Sequence, residues 1–262
     1  KDRQRNGYLA AAAGLLYAVL LALAFAGVSV WNEYKQSIID NQKQQMLLTA
    51  QSLADNLQVL IEEYKADLEA LDGMALRRTE GDGEPDWTVF QEYAGAHHAF
   101  VYDIMLENED GEVVRSMKGH RIITIYSVSA VDSTMKLYQA RMDNGEIYLI
   151  LKKKSEHKNS ISLVIDGQAY YQSMISGIRL GTNGYVVVKD SKGTILMHPA
   201  QEQWGIDVIY GRRQLYPDKD LASLEDMIDK QNQGQEGVSE YYSYWWTEPE
   251  APRVKKISAY SP

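Results

Sequence analysis

The stretch GTNGYVVVKDSKGTILMHPAQEQWG, residues 181–205, carries two apolar runs separated by a turn. Tyr185–Pro199 reads as a hairpin reversing at Asp190-Ser191-Lys192-Gly193. Val, Ile and Thr favour a pleated, half-buried backbone, and the glycine supplies the positive φ that a tight reversal needs. Pro199 removes a ladder donor and so terminates the second strand. The same unit occurs upstream in FVYDIMLENEDGEVVRS, residues 100–116, where the turn is Asn108-Glu109-Asp110-Gly111. Gly111 and Gly193 hold equivalent places in the two units. Each hairpin follows a helical stretch, Trp87–Gly95 (with Asp86 as its cap) and Gly167–Leu180. Two copies fall short of a solenoid, and they point to two similar small modules in tandem.

Further strands are expected at Arg121–Ser127, Thr134–Ala140, Glu146–Leu151 and Ser160–Ile165, with the charged loop Lys152–Asn159 as a solvated hairpin end. Asp220 is placed to cap a helix whose apolar positions are Leu221, Leu224, Met227 and Ile228, with Gly234 just beyond its end. VSEYYSYWW (238–246) and VKKISAY (254–260) form a last antiparallel pair. Short strands with one or two covering helices per module give an α+β fold, with helices packed on antiparallel sheets.

Working outward to the N-terminus, Tyr8–Trp31 runs for 24 positions without a charged side chain, after Lys1, Arg3 and Arg5. About 20 apolar residues cross a bilayer core, so this segment reads as a transmembrane helix. The basic flank predicts a cytoplasmic N-terminus and an extracytoplasmic remainder at the cell membrane. A cleaved signal peptide is the rival reading, because Ala24-Phe25-Ala26 resembles a cleavage site; the apolar core exceeds the usual length of such a signal. From Asn32 to about Arg78 an amphipathic helix is predicted. Met46, Ala50, Leu53, Leu57, Leu60, Tyr64, Leu68, Leu71 and Ala75 step at close to the 3.6-residue period of a straight helix docked on a globular body. Gly81-Asp82-Gly83-Glu84-Pro85 ends it. The expected organisation is therefore 1–31 (cytoplasmic N-terminus and span), 32–80 (long stalk helix), 81–180 (membrane-distal module) and 181–262 (membrane-proximal module). The opening Lys1 and the close within strand-like Ile257–Pro262 lead to the expectation of a longer protein.

The chain carries −9 overall. Lys1, Asp2, Arg3 and Arg5 contribute +2 up to the end of the span, which leaves −11 for positions 32–262. Such an acidic soluble part argues against nucleic acid, whose phosphates call for a basic footprint. The lack of cysteine removes disulfides and thiolate metal sites. No G-x-S-x-G elbow, phosphate-binding loop, dinucleotide turn or H-E-x-x-H helix occurs. His97, His98, His120, His157 and His198 lack metal-ligand spacing, and Glu107, Glu109 and Asp110 beside Gly111 lack the alternation of a calcium loop. No metal, cofactor or catalytic activity is expected in this segment.

A tethering helix, a long docked helix and a PAS-like module followed by the G-x-x-G-Y strand, the D-x-x-G turn and a strand ending in His198-Pro199, with Gly205 beyond, resemble the double Cache extracytoplasmic sensor domain of bacterial receptors. YYSYWW and KKISAYSP are similar to the strands that follow in its proximal module. The resemblance implies two tandem PAS-like modules supported by the long helix, and a second span beyond. It also implies a ligand in the distal module, between the sheet and the loops over it. Asp166, in SLVIDGQAYY, matches the aspartate with which amino-acid-binding members hold their ligand, and Tyr138, before Asp143-Asn144-Gly145, matches a tyrosine contact. Arg121 and Tyr126 are what HRIITIYS offers in place of the Arg-x-Trp-Tyr segment that grips a carboxylate. Plainer readings stand beside these: Asp166 as a helix cap, Tyr126 and Tyr138 as half-buried strand aromatics, Arg121 as a solvated residue.

The resulting expectation is the small-molecule sensing part of a bacterial signal-transduction receptor, with a histidine kinase or diguanylate cyclase as the output beyond the segment. The ligand class implied is an amino acid or organic acid, and a homodimer through the juxtamembrane helix is part of the picture. The alternatives are a chemoreceptor ectodomain, a structural or protein-interaction ectodomain using the aromatic run Tyr241–Trp246, and a secreted enzyme released by signal cleavage near Ala26.

Overall fold

The computed structural model describes residues 2–77, 87–95, 100–154, 160–181, 183–244 and 252–262. The expected Asp86 cap, the breaker cluster 81–85, His97, His98, His157, Trp245 and Trp246 lie outside these residues. Helix α1 (Asp2–Arg77) is one unbroken α-helix. The chain divides into two compact units, residues 1–49 and 50–262.

In the first unit the apolar side chains from Leu15 to Trp31 are exposed, Phe25 by 80%. A helix apolar all round and left exposed suits lipid, and this one is long and apolar enough to cross a membrane. In the second unit the stripe behaves as its spacing requires. Tyr64, Leu68 and Leu71 are buried, and Leu53, Leu57 and Leu60 pack against the same core.

That core is one face of a six-stranded antiparallel sheet of β1 (Val101–Glu107), β2 (Val113–Ser116), β3 (Ile122–Ala130), β4 (Met135–Met142), β5 (Ile147–Lys154) and β6 (Ser160–Ile165). The spatial order is β2-β1-β6-β5-β4-β3, so two strands consecutive in sequence form opposite edges. Their connection is only Met117–Arg121. Five strand spacings in a flat sheet are about 24 Å, whereas the link from Ser116 to Ile122 reaches about 21 Å even when fully extended. Its first residues bend around Asp103, which shortens it further. The sheet must therefore curl, bringing its edges together beneath this strap. The curl encloses a second apolar cluster, Met105, Ala140, Met142, Tyr148, Ile150 and Val164, with Tyr102, Val113, Ile122 and Tyr138 around it. Farther along this inner face the buried Glu107 meets Lys152 Nζ at 2.5 Å and accepts a hydrogen bond from Ser162 Oγ at 2.9 Å.

The outer face carries Ile104, Leu106, Leu149, Leu151, Leu163 and Ile165, packed with α1, with Trp87 and Phe90 of α2 (Trp87–Gly95), and with Tyr170 of α3 (Gly167–Tyr170). The helix expected over Gly167–Leu180 is shorter: α3 passes into a π-turn, Tyr171–Ile175, and ends. Gly177 and Gly181 follow, and glycine is a poor helix propagator.

The hairpin expected at 185–199 forms as β7 (Val188–Lys189) and β8 (Ile195–Met197), with Gly193 at φ +97° in its turn. It joins the first core, because Leu196, Met197 and Trp204 lie in the outer-face cluster and buried Gln139 donates to the Ile195 and Leu196 carbonyls, each at 3.0 Å. Helices α4 (Val208–Leu215) and α5 (Ala222–Asn232) and strands β9 (Gly237–Ser243) and β10 (Val254–Tyr260) build a separate small core of Tyr216, Leu221, Leu224, Met227, Ile228 and Tyr244. Asp220 lies one residue before the cap position, held by Leu221, and accepts from Ala222 N at 3.0 Å. The architecture is α+β: a long helix with an apolar N-terminal part, and an antiparallel-sheet domain to which the C-terminal part adds two two-stranded sheets.

Candidate functional site

The strap is anchored at its start by Asp103, which is 1% exposed at the bulge of β1. Its carboxylate accepts hydrogen bonds from Ser116 Oγ at 2.5 Å, Met117 N at 2.9 Å and Lys118 N at 3.2 Å. A buried carboxylate is tolerable only when so satisfied. The strap then delivers His120 onto the ring of Tyr102, with centroids 6.0 Å apart and the rings stacked. Tyr102 stacks in turn on Tyr148, centroids 4.5 Å apart. The β4–β5 turn closes the group: Asp143 Oδ1 is 2.8 Å from His120 Nδ1, and Asn144 Nδ2 donates to the Tyr148 hydroxyl at 3.1 Å and the Tyr102 hydroxyl at 3.4 Å. The Lys118 ammonium lies 5.9 Å from the Tyr102 ring centre.

The electrostatics fit this packing. Burial pushes the Tyr148 phenol well above its ordinary pKa, assisted by a hydrogen bond with Tyr102 and the nearby Asp166 charge. The hydrogen bond with His120 lowers the Asp143 carboxyl, with a smaller contribution from the Arg121 charge. Phenol, amide, imidazole and carboxylate groups thus converge at one mouth of the curled sheet above an interior of Met105, Met142 and Ile150. Such a set can orient a small polar molecule by hydrogen bonds over apolar walls. Among the described residues no group of three metal-ligating side chains occurs.

The four residues singled out from sequence are placed differently. Asp166 follows β6, and its side chain accepts from Ala169 N at 2.8 Å, capping α3. It is close enough to Tyr148 for its charge to act on that phenol. Arg121 is exposed at the end of the strap, and its carbonyl accepts from Asp143 N. Tyr138 is half-buried on the inner face. Tyr126 packs on the outer face, where its hydroxyl accepts from Arg141 Nε at 2.7 Å. Asp166 and Arg121 thus border the cluster, Tyr138 shares its sheet face, and Tyr126 is on the other side. Tyr102, His120, Asn144 and Tyr148 escaped sequence reasoning. Two of them, His120 and Asn144, stand in Gly- and Asp-rich turns, which carry function when a scaffold fixes them.

Of the aromatic run Tyr241–Trp246, the described part is mixed: Tyr242 is exposed, Tyr241 half-buried and Tyr244 buried.

The family model described as Single Cache domain 2 matches residues 128–261, just over half of the chain. No curated protein is a significant match. Similar solved structures include the ligand-binding domain of the Pseudomonas aeruginosa PAO1 amino acid chemoreceptor PctB in complex with L-Gln. It is 14% identical, with 82% of this chain and 89% of that chain covered and a TM-score of 0.49. The periplasmic sensory domain of the Campylobacter jejuni chemoreceptor Tlp1 is 10% identical, with 78% and 86% covered and a TM-score of 0.48. The ligand-binding domain of Mlp24 with asparagine is 14% identical, with 87% and 94% covered and a TM-score of 0.40.

Proposed function

We infer a sensory role from the premise that this chain belongs to the Single Cache domain 2 family. It is the extracytoplasmic small-molecule sensing part of a bacterial transmembrane signalling receptor, held to the membrane by the apolar part of α1. The observation that carries this reading is the cluster of Tyr102, Tyr148, His120 and Asn144 beneath the strap, beside Asp166. Its hydrogen bonds are exchangeable for bonds to a ligand with an apolar stem and polar ends, an amino acid or a small organic acid. Asp166, Arg121 and Tyr138 belong to the proposed site, and Tyr126 is assigned to packing on the outer face. The output is a histidine kinase or diguanylate cyclase beyond this segment, and two copies pair through α1.

A double Cache organisation is part of the proposal. Its support is the recurrence of the hairpin unit and the separate core around Leu224 and Ile228. A ligand can shift such a receptor only by its difference in affinity between two packings. The strap is the element best placed to supply that difference, since Asp103 fixes one end and His120 rides on the aromatic stack.

Thermal unfolding of the full chain in nanodiscs, against a panel of amino acids and small organic acids, tests the reading. One chemical class should raise the melting temperature in proportion to ln(1 + [L]/Kd). His120→Ala and Tyr148→Phe should remove that shift while leaving a folded protein. A panel without any shift, or a shift that survives both substitutions, refutes the site.

A further inference from the structure

Gln139 on β4 is 0% exposed, and its neighbours in the outer-face core are leucines: Leu137 along the strand and Leu149 directly opposite on β5. Its Nε2 donates to the Ile195 and Leu196 carbonyls of β8. Only the NH2 end of an amide can donate to carbonyls, so these two bonds fix the orientation of the side chain. They leave Oε1 buried and without a partner among the described residues. An unsatisfied buried amide oxygen is costly, and a leucine of similar size would avoid that cost. Packing therefore gives no reason for a glutamine here; its hold on β8 does. Ser127, directly opposite Gln139 on β3, reaches the same hairpin through Asp190.

On its other side β4 belongs to the strap. Tyr138, Ala140 and Met142 lie on the inner face, in the cluster beneath it. The residue that follows the strand, Asp143, meets His120 Nδ1 at 2.8 Å and donates its backbone N–H to the Arg121 carbonyl at 3.0 Å. Beyond β8 the connections run into the C-terminal part. The Ile195 carbonyl that accepts from Gln139 also accepts from Gly205 N at 2.9 Å, and Val208 N, the first amide of α4, donates to the Gly193 carbonyl at 3.0 Å. One strand thus carries the strap at its end and, through a buried amide, the segment that starts α4.

We propose that Gln139 couples the strap to the C-terminal part, so that loosening the strap loosens the attachment of Gly205–Val208 to β8. The empty Oε1 makes this amide the least satisfied member of the connection, and so the one that yields first. The coupling is a property of the fold and holds whether or not the strap cluster binds a molecule, so its failure and that of the sensing role are told apart.

Amide hydrogen exchange of the full chain in nanodiscs tests it, with His120→Ala as the perturbation of the strap. In the otherwise unchanged protein, His120→Ala should accelerate exchange at the Gly205 and Val208 amides by about 2–30-fold relative to the amides of α5, the span of ordinary coupling energies. With Gln139→Leu already in place, the same substitution should no longer change them, which is the signature of a double-mutant cycle. Glu146→Ala removes only the exposed bond from Gln201 to the β4–β5 turn, at 2.9 Å, and should leave the response intact. A further measurement needs no change at Gln139: its side-chain amide protons should shift in the NMR spectrum when His120 alone is replaced. No acceleration in the parent background, equal acceleration with and without Gln139, a response that Glu146→Ala abolishes, or Gln139 amide signals indifferent to His120→Ala overturns the proposal.

Discussion

Ser127 Oγ and Asp190 Oδ2, 63 residues apart in sequence, meet at 2.5 Å in a buried contact between β3 and the β7–β8 turn. Asp190 Oδ1 also accepts from Lys192 N at 2.9 Å and Thr194 N at 2.8 Å, so one carboxylate shapes its own turn and fastens it to the curled sheet. Ser127→Ala should cost about 1–2 kcal/mol, and Asp190→Ala about 2–4 kcal/mol because three donors lose their acceptor. The double variant should cost less than the sum, since both remove one shared bond. Urea unfolding monitored by tryptophan fluorescence measures all three.

The same carboxylate gives the contact a pH dependence. Burial pushes the Asp190 pKa up, but hydrogen bonds from Ser127, Thr194 and Lys192 outweigh it, so the folded value is depressed. A depressed carboxyl stabilises the fold above its unfolded pKa and loses that contribution as pH falls through the folded one. The stability lost below about pH 4 should be smaller in Asp190→Asn than in the parent. Equal acid sensitivity in the two proteins would refute it.

Asp103 is predicted to govern the strap. Asp103→Ala removes the acceptor for Ser116, Met117 and Lys118, and should cost about 2–4 kcal/mol. Its distinctive signature is local: hydrogen exchange at Met117 and Lys118 amides should accelerate more than at β5. Uniform acceleration across the sheet would mean that Asp103 acts on global stability alone.

What the sequence disclosed follows from how far each signal reaches along the chain. The stripe Leu53–Leu71, the hairpins turning at Gly111 and Gly193 and the strand Ser160–Ile165 are local patterns, and all appear where expected. The curl is not local. It arises because the short link Met117–Arg121 must join the two edges of a six-stranded sheet, a constraint visible only once the strand order is known. For that reason Tyr126 and Tyr138, on neighbouring strands, could not be assigned to opposite faces in advance; the register of β3 shifts between Ile125 and Ser127. Gln139 reads as an ordinary strand polar residue, and its two bonds to β8 cross 56 and 57 residues. The Asp166 cap was legible, because the cap and the amide it serves are three residues apart.

Gly205 is held at φ +78°, and an added Cβ would stand 2.6 Å from Cγ of Tyr126. Gly205→Ala therefore combines left-handed backbone strain with a ring clash, and should cost more than about 2 kcal/mol. Adding Tyr126→Ala should recover the steric part but leave about 1–2 kcal/mol of backbone strain. Thermal melts of both variants check this; a double variant no better than Gly205→Ala would show that the ring is not what the methyl meets.

His198 should titrate far from an ordinary histidine. Burial first, with the Arg212 charge also acting in that direction, brings its pKa down to about 4, against the opposing effects of its bond with Ala200 and of Glu202. Because the folded value is below the unfolded one, the neutral ring is favoured by folding. The stability tied to it is complete above about pH 6.5 and declines as pH falls toward 4. Ring-proton NMR should show no His198 titration between pH 8 and 5.5. Arg212→Gln removes a positive charge acting on the ring and should raise the His198 midpoint. A midpoint near 6.5 in the parent protein would mean that the imidazole is solvated, and the acid-side loss of stability should then have no component that His198→Gln abolishes.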